Sequence, residues 1–340
     1  MMDSSAIMWF RFRVPLRRPL TVGGQTLSFR ECLVVRLMSD DGAAGWGEAA
    51  PLPGFHGWCT IEELIEHAHN AGKSFDASRL LVSPPSVRFA MSSAEAWLLH
   101  DSQTDTADVS REVKATLLIN RDNHSLESLQ QAMKYSCIKV KVGSDPVADA
   151  TFVRELRDAI GPEPKLRADA NRRWNLNQAI EFGQAVGNEM LEFLEEPCDN
   201  PDNFEVLRNE TGLRIAADES VQDAGDSSAI ERILDVSDYL VIKPTMIGSL
   251  DRCRELAQRA YSRGAGVVVS SAYETGVGMR GLLLLILSLK GTDPAPGLGT
   301  YNLIADDILE SRLPIQGSSF DLQSALRHVN VDTASLERIA

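Results

Sequence analysis

Apolar and polar side chains alternate near the start of the chain, and this period of two is typical of a half-buried β-strand. Trp9, Phe12 and Val14 are interleaved with arginines, and residues 31–38 form a second apolar run. A glycine pair within residues 21–24 separates the two runs and predicts a turn. We therefore predict two paired strands joined at this turn.

Loop and helix signals follow these strands. Residues 45–57 are rich in glycine and proline, which predicts a loop. Thr60 followed by Glu63 has the form of a capping box, and it predicts a helix that continues through His69. Apolar residues at helical spacing in 87–100 predict a second helix. The first hundred residues are therefore predicted to form an α+β unit.

A different rhythm begins near Lys114, where short apolar runs alternate with amphipathic helical stretches such as 149–160 and 250–263. The runs lie at 115–120, 137–143, 165–171, 191–197, 213–220, 239–244 and 266–272. The polar residues that close six successive runs are 23 to 28 residues apart, which is the length of a strand, a helix and two loops. Seven or eight such units would close an α/β barrel of the TIM type, with a final strand near 295–298.

An open, doubly wound sheet would give the same alternation, but it would concentrate its site at one switch point. Here polar residues close nearly every run, namely Lys141, Asp169, Glu195, Asp218, Lys243 and Ser270. The barrel is therefore favoured. We predict an α+β unit over 1–106 and a barrel over 107–305, with 306–340 packed on the first unit. Because no low-complexity linker separates the two parts, they are expected to pack together.

Composition narrows the functional classes. Of 340 residues, 44% are hydrophobic and 24% charged, as in ordinary globular proteins, and the net charge of −14 argues against nucleic acid or anionic membranes as partners. The apolar run 282–289 is too short to span a bilayer, and the N-terminus lacks the apolar stretch of a secretory signal. Five scattered cysteines without a CxxC pair indicate reduced thiols, so we expect a cytoplasmic protein.

Charged side chains in predicted barrel strands carry the functional signal. Lys139 and Lys141 lie two residues apart and so on one face of a strand, although an outer face covered by lysine stems is the alternative. Asp169, Glu195 and Asp218 close three successive strands, which in a barrel would bring them to one mouth. Clustered carboxylates repel one another unless a cation neutralises them. Oxygen ligands without His or Cys favour Mg²⁺, with Mn²⁺ as the second choice.

Lys243 closes the following strand and would face the lysine pair across an eight-stranded barrel. Facing lysines around a divalent cation suit the removal of a proton next to a substrate carboxylate. The cation stabilises the enediolate, and a lysine crowded by positive charges can be neutral and act as a base.

These motifs resemble the enolase superfamily, whose members combine a capping domain with a modified (β/α)₇β barrel. The motifs are KVK at 139–141, RADAN at 167–171, LEEP at 194–197, ADES at 217–220 and IKP at 242–244. With lysines on both sides of the barrel, the chain is similar to the muconate-cycloisomerase-like subgroup. Within it, RADANRRW, FLEEPC, IKPTMIGS, SSAYETGVG and PGLGT most resemble the o-succinylbenzoate synthases.

The resemblance implies a lyase (hydro-lyase) that acts in menaquinone biosynthesis. Its reaction would be the syn elimination of water from 2-succinyl-6-hydroxy-2,4-cyclohexadiene-1-carboxylate, which yields 2-succinylbenzoate. Lys141 would take the α-proton and then help the hydroxyl leave, Lys139 would tune Lys141, and Lys243 would stabilise the enediolate.

The resemblance also implies the residues that surround this chemistry. Mg²⁺ would be bound by Asp169, Glu195 and Asp218. Glu196 is adjacent to Glu195 and faces the opposite side of the strand, so only one of the two can be a ligand, and the family pattern favours Glu195. The supporting shell would comprise Arg167, Asn171 and Glu219.

The substrate's remaining contacts are predicted from loops. Residues 276–281 match GxGxxG, but no strand ending in Asp or Glu follows at the distance that a dinucleotide site requires. The helix amides there suit an anion instead, which makes Ser270, Ser271 and Gly297 candidates for binding the succinyl carboxylate. Leu52 and Phe55 are candidates for closing over the substrate and excluding water.

Other reactions on the same scaffold stay open. They are N-succinylamino acid racemisation, dipeptide epimerisation and muconate cycloisomerisation. Dipeptide epimerases usually carry Asp-x-Asp near the last barrel strand, where this chain has Gly-Leu-Gly-Thr at 297–300. An alternative of another class is a catalytically silent, metal-binding barrel, which would have no reason to retain buried charges that face each other.

Overall fold

A computed structural model describes residues 7–55, 58–71, 82–103, 111–119, 132–224, 226–290, 294–315, 317–327 and 329–339. Within these ranges, no helix combines the length and the apolar character needed to cross a bilayer.

The chain forms strands and helices in the following order. The strands are β1 (Ile7–Val22), β2 (Gln25–Met38), β3 (Ala44–Ala49), β4 (Glu112–Lys114), β5 (Thr116–Ile119), β6 (Cys137–Lys141), β7 (Lys165–Asp169), β8 (Phe193–Glu195), β9 (Ile215–Ala217), β10 (Tyr239–Ile242), β11 (Gly266–Val269), β12 (Ser319–Asp321) and β13 (Glu337–Arg338). The α-helices are α1 (Ile61–Ala71), α2 (Pro85–Gln103), α3 (Pro146–Ile160), α4 (Leu176–Val186), α5 (Phe204–Thr211), α6 (Glu219–Gln222), α7 (Ser227–Asp235), α8 (Pro244–Ile247), α9 (Leu250–Tyr261), α10 (Gly276–Ser288) and α11 (Leu322–Leu326).

The N-terminal part is an antiparallel sheet of order β13-β1-β2-β3 covered by helices. The predicted pair of strands is confirmed as β1 and β2, with Trp9 opposite Val35. Trp9, Leu33 and Val35 share one face and pack with Leu64 of α1, whereas Phe12 on the other face joins the main core. The predicted capping box is also confirmed, because Thr60 and Glu63 exchange hydrogen bonds at the start of α1.

The prediction of a loop over 45–57 is wrong for its first half, which forms strand β3. Its glycines serve a different purpose from turn formation. A Cβ on Gly45 would lie 2.1 Å from the carbonyl oxygen of Ala94, and one on Gly47 would lie 1.8 Å from that of Ala90. Glycine is therefore required because the backbone of α2 packs directly on β3.

The barrel prediction is confirmed. Strands β5 to β11 form a parallel sheet in chain order, and the predicted last strand is reduced to a single bridge between Ser270 and Gly297. Gly297 N–H donates to Val269 O at 2.9 Å, and Thr116 N–H donates to Pro296 O at 3.2 Å. These bonds join β11 to β5 through residues 296–297, so the sheet closes and is not an open, doubly wound one.

Among the described residues, two strand pairings join the C-terminal segment to the remainder of the chain. Glu337 in β13 pairs with Arg11 in β1, and Phe320 in β12 pairs with Val113 in β4. The predicted domain boundary at residue 106 lies outside the described residues. The division into 1–106 and 107–305 stays a prediction.

The N-terminal sheet reaches the barrel through a buried carboxylate. Glu48, from β3, accepts hydrogen bonds from the backbone N–H of Thr275 at 3.0 Å and of Gly278 at 2.9 Å, and from the Thr275 hydroxyl at 2.6 Å. These donors lie at the N-cap and in the first turn of α10, where a carboxylate is favoured by the free amides and the helix dipole. Buried Arg30 of β2 adds a hydrogen bond from its Nε to Tyr273 O at 3.2 Å.

A second buried carboxylate, Glu274, lies beside this contact. One of its oxygens accepts from Ala272 N–H, and the other has no hydrogen-bond partner in the part of the chain that the structure describes. Burial, and then the charge of Glu48, raises the pKa of Glu274 to about 7. The folded protein therefore holds this proton at a pH where the unfolded chain has already released it.

Replacing Glu274 by glutamine is expected to make stability less dependent on pH. Because the folded-state pKa is raised, wild-type stability falls as pH rises from about 4.5 to about 7, and then stays lower. We expect Glu274→Gln to be about 1–3 kcal/mol more stable than wild type at pH 8, with a smaller difference at pH 5. Urea unfolding at both pH values measures this, with exposed Glu163→Gln as control. An equal difference at the two pH values would contradict the assignment.

Candidate active site

The carboxylate cluster, defined as Asp169, Glu195 and Asp218, lies at the C-terminal mouth of the barrel. Asp169 and Glu195 end β7 and β8 and are level in the sheet register, and Asp218 follows β9. All three side chains are buried. Parallel strands bring their C-terminal ends to one edge, and this places three acidic groups of separate sequence segments together.

Three site lysines, Lys139, Lys141 and Lys243, neutralise the cluster. Lys139 Nζ donates to both Glu195 oxygens at 2.7 and 2.6 Å and lies 2.7 Å from Asp169 Oδ2. Lys141 Nζ donates to the same Asp169 oxygen at 2.6 Å, and Lys243 Nζ donates to Asp218. Because Lys139 and Lys141 share one strand face, both reach Asp169.

The cluster favours added positive charge. Burial and the charge of Asp169 raise the pKa of Glu195 to about 8, and burial raises the pKa of Asp218 to about 6 even though Lys243 opposes it. Burial would lower the pKa of Lys139, but the charges of Asp169 and Glu195 outweigh burial and raise it. The ionised forms of Glu195 and Asp218 are therefore costly here, whereas for Asp169 burial is outweighed by Lys139 and Lys141, which lower its pKa and favour its ionised form.

The donor set fits a divalent cation, although its present arrangement does not enclose one. Within the described ranges, no group of three His, Cys, Asp or Glu side chains stands so that it could hold an ion. The Lys139 ammonium lies between Asp169 and Glu195, and the Lys243 ammonium lies on Asp218. Binding a cation would require these ammonium groups to move off the oxygens, which are the ligands that Mg²⁺ prefers.

Asn171 and Glu219 join the same cluster. Asn171 Oδ1 accepts from Lys141 Nζ at 2.7 Å, and its Nδ2 donates to Glu219 Oε1 at 2.9 Å. The backbone N–H of Asn171 also donates to Asp169 at 3.0 Å. The amide therefore holds the Lys141 ammonium on one side while Glu219 fixes which way the amide faces.

Arg167 is not brought to the cluster, which corrects its predicted place in the supporting shell. It precedes Asp169 by two residues on the same strand, so it lies about 6.6 Å deeper along the barrel. Its Nε donates to Glu192 at 2.6 Å and its Nη1 to Ala295 O at 2.7 Å, both near the N-terminal ends of strands. The RADAN motif thus contributes to both ends of the barrel.

The predicted anion site at residues 276–281 is also corrected, because the protein supplies its own anions there. Glu48 accepts hydrogen bonds from the backbone N–H groups of Thr275 and Gly278, and Asp307 accepts one from that of Gly276 at 3.0 Å. A Cβ on Gly281 would lie 2.6 Å from Ser93 Oγ of α2. The glycines of this motif allow α10 to pack closely, and protein carboxylates occupy the backbone amides of Thr275, Gly276 and Gly278.

The candidates for the succinyl carboxylate differ in what they offer. Gly297 uses both its N–H and its C=O in barrel closure. Ser271 is buried, with its hydroxyl bonded to Gly297 O at 3.0 Å and Thr300 Oγ1 at 2.6 Å. Ser270 is half-buried, and among the described residues its hydroxyl makes only a 3.4 Å contact, to Gly297 O, so it is the more available of the two serine hydroxyls.

Apolar residues from the N-terminal part cover the mouth. Leu52 is buried against Met246 and Ala272, and Phe55 packs beside them with its ring centroid 5.0 Å from Lys243 Nζ. Sequence reasoning missed two neighbours: Tyr273, which adopts a left-handed φ of 66°, and Gln222, which donates to Asp218. Gln222 could have been found from its i+4 spacing to Asp218, whereas nothing local marks Tyr273.

Comparisons with known proteins identify the family of this chain. A family model described as "MenC, N-terminal domain" matches residues 4–98, and one described as "Enolase C-terminal domain-like" matches 123–325. An o-succinylbenzoate synthase of Pectobacterium atrosepticum is 36% identical over 324 residues, which cover 90% of this chain and 94% of that protein. The chain belongs to the o-succinylbenzoate synthase family. It is therefore an enzyme, a lyase of the enolase superfamily, as the sequence motifs predict.

Solved structures share the fold of this family member. The substrate-liganded L-Ala-D/L-Glu epimerase from Bacillus subtilis superimposes with a TM-score of 0.79 at 22% identity, covering 94% of this chain and 96% of that one. A dipeptide epimerase from Enterococcus faecalis, complexed with Mg and the dipeptide L-Leu-L-Tyr, gives 0.79 at 17% identity and covers 98% and 99%. At these identities, the likeness establishes the capped barrel fold.

Removing the ammonium of Lys139 is expected to destabilise the protein. Lys139→Met leaves Asp169 and Glu195 buried with one cation fewer, which should cost about 3–5 kcal/mol of unfolding free energy in EDTA. Lys165→Met, on an exposed side chain of the neighbouring strand, should change it by less than about 0.5 kcal/mol. Urea unfolding of both variants measures the difference, and equal losses would show that the ion pairs do not stabilise the mouth.

Proposed function

We propose that this enzyme is a Mg²⁺-dependent dehydratase. It converts 2-succinyl-6-hydroxy-2,4-cyclohexadiene-1-carboxylate to 2-succinylbenzoate by syn elimination of water, as a cytoplasmic step of menaquinone biosynthesis. The observation that carries the proposal is the position of Lys141, held by Asp169 and Asn171 at the barrel mouth with Lys243 on the far side of the carboxylate cluster.

Lys141 is assigned the role of base because it is the accessible lysine. Its side chain is 38% exposed, against 16% for Lys139 and 11% for Lys243. As the neutral amine, Lys141 Nζ takes the α-proton from the ring carbon that bears the carboxylate. The same group then returns a proton to the departing hydroxyl, so the C–O bond breaks, water leaves and the ring becomes aromatic. Both bonds break on one face, so one lysine is sufficient.

Lys243 is assigned an electrostatic role. Burial would lower its pKa, but the charges of Asp218 and Glu219 outweigh burial and raise it, so the group stays protonated near neutral pH. An ammonium at this position stabilises negative charge that develops on the substrate carboxylate. Lys139 bridges Asp169 and Glu195, and its assigned role is to adjust the electrostatic environment of Lys141.

Asp169, Glu195 and Asp218 are the residues that would hold the metal, and Mn²⁺ is the alternative ion. When bound, the divalent cation supplies positive charge that stabilises the substrate carboxylate as the α-proton is lost. With Lys141 as the neutral base, three ionised carboxylates, two ammonium groups and a divalent ion would leave the mouth with one excess positive charge, which favours an anionic substrate.

The remaining substrate contacts are assigned by position. Leu52 and Phe55 close over the ring and exclude water, which strengthens the electrostatic interactions inside. Ser270 is assigned to the succinyl tail because its hydroxyl is the least engaged in the loop. Asn171 and Glu219 orient Lys141.

N-succinylamino acid racemisation is the second candidate, because it uses the same facing lysines and metal. It needs both lysines to exchange protons, whereas Lys243 is the more deeply buried and is held protonated by its neighbours. That difference favours the elimination. A catalytically silent barrel is disfavoured, since buried charges that face each other reduce stability unless they serve a function.

Lys141→Ala is expected to abolish dehydration while leaving metal binding intact. Loss of the base should lower kcat by at least about 10³-fold, measured as the disappearance of the diene absorbance with Mg²⁺ present. Mn²⁺ binding to the variant, followed by electron paramagnetic resonance, should stay close to that of wild type. Dehydration at the wild-type rate would contradict the assignment of the base.

Lys243→Ala distinguishes the two reactions. In D₂O, a two-base racemase exchanges the α-proton of N-succinylamino acids from both enantiomers, and each lysine serves one of them. A one-base dehydratase with Lys141 as base should show deuterium exchange, measured by proton NMR, in no more than one enantiomer. Exchange in both enantiomers, lost for one of them in Lys243→Ala, would favour the racemase.

A further inference from the structure

Glu196 is the neighbour of Glu195 and is fully buried, and its carboxylate contacts the loops that follow β7 and β9. Its Oε1 accepts from the backbone N–H groups of Asp218 and Ser220, both at 2.7 Å. Its Oε2 accepts from the Ser220 hydroxyl at 2.9 Å and from Arg172 Nε at 3.1 Å. Four donors therefore occupy this carboxylate, which leaves Glu195 as the acidic group of the pair that faces the cluster.

Arg172 completes a clamp between the loops that follow three strands. Its backbone N–H donates to Glu196 O at 2.8 Å, and its Nη1 donates to Asp223 at 2.5 Å. The loop after β7 is thereby joined to the end of β8 and to the turn after β9. That turn begins at Asp218, and the loop after β7 contains Asn171.

Backbone strain is concentrated on the same clamp. Asn171, Arg172 and Glu196 have φ values of 45°, 62° and 41°, in the left-handed region that side-chain-bearing residues seldom occupy. Tyr273 is the one other described non-glycine residue with positive φ. Such conformations persist where surrounding contacts hold them, and here the contacts are those of the Glu196 carboxylate and the Arg172 guanidinium.

We propose that Glu196, together with Arg172, is a positioning residue that fixes Asp218 and the Asn171 turn for metal binding and catalysis. The inference rests on the proposed function, because it takes Asp218 as a metal ligand. Glu196 touches neither substrate nor ion. It acts through the backbone N–H of Asp218, and partners of this kind often alter metal affinity 10- to 100-fold when they are removed.

The test measures metal affinity of the full chain without substrate. In Glu196→Gln, the amide keeps one oxygen for the Asp218 and Ser220 N–H groups and turns an NH₂ donor toward Arg172. We expect the Mn²⁺ dissociation constant, measured by electron paramagnetic resonance, to rise about 10- to 100-fold. Asp149→Asn is the matched control, since buried Asp149 also accepts two backbone N–H groups, of Gly143 at 3.0 Å and Ser144 at 2.8 Å.

The control should change the dissociation constant by less than about twofold. Arg172→Met provides a second variant that keeps the Glu196 carboxylate, and it should also weaken Mn²⁺ binding. Because the two residues act as a pair, the double variant should bind no more weakly than the worse single variant. If the effects of the two single substitutions on the Mn²⁺ dissociation constant multiply in the double variant, the paired role is overturned.

The outcomes separate this inference from the proposed function. Wild-type protein that binds Mn²⁺, with Glu196→Gln and Arg172→Met binding it equally well, overturns the positioning role alone. The same increase in Asp149→Asn also overturns it, because general loss of stability would then explain the effect. Wild-type protein that binds no Mn²⁺ contradicts the proposed metal site itself, and the positioning role with it.

Discussion

Charge balance among buried groups at the barrel mouth is the constraint on which the site depends. Asp169, Glu195 and Asp218 are buried together, and burial alone would make at least one of them neutral. Lys139 and Lys243 offset this by lying directly on the carboxylate oxygens. A cluster held in this way retains the chemistry of its oxygens and accepts further positive charge, which is the property that a metal-assisted proton transfer requires.

A buried carboxylate outside the cluster, Glu48, connects the N-terminal sheet to the barrel near this mouth. Glu48 caps the first turn of α10, and Arg30 donates to the loop after β11. These polar contacts are buried and shielded from solvent, so they fix how the sheet lies over the barrel. Leu52 and Phe55 follow β3 and are thereby held against the site. The covering of the mouth therefore depends on hydrogen bonds made some distance from the reacting groups.

The periodic and charged features of the chain predict much of this arrangement. Barrel strands are recognisable because each is a short apolar run closed by a polar residue, and parallel strands must deliver those residues to one edge. Gly47 misleads because a glycine required by close backbone packing looks like a turn glycine. The role of Gly278 is hidden because its partner, Glu48, is 230 residues away. The position of Arg167 depends on how deep in the barrel its part of the strand lies, and a sequence motif does not give that depth.

The central claim is that the three carboxylates bind one divalent ion and that the lysines are then free to act on the substrate. A crystal of the protein grown with Mn²⁺, with anomalous diffraction recorded, tests it most directly. The account predicts one strong anomalous peak contacted by oxygens of Asp169, Glu195 and Asp218, with the Lys139 and Lys243 ammonium groups displaced from those oxygens. A peak at other residues, or lysines that stay in place with no ion bound, would contradict it.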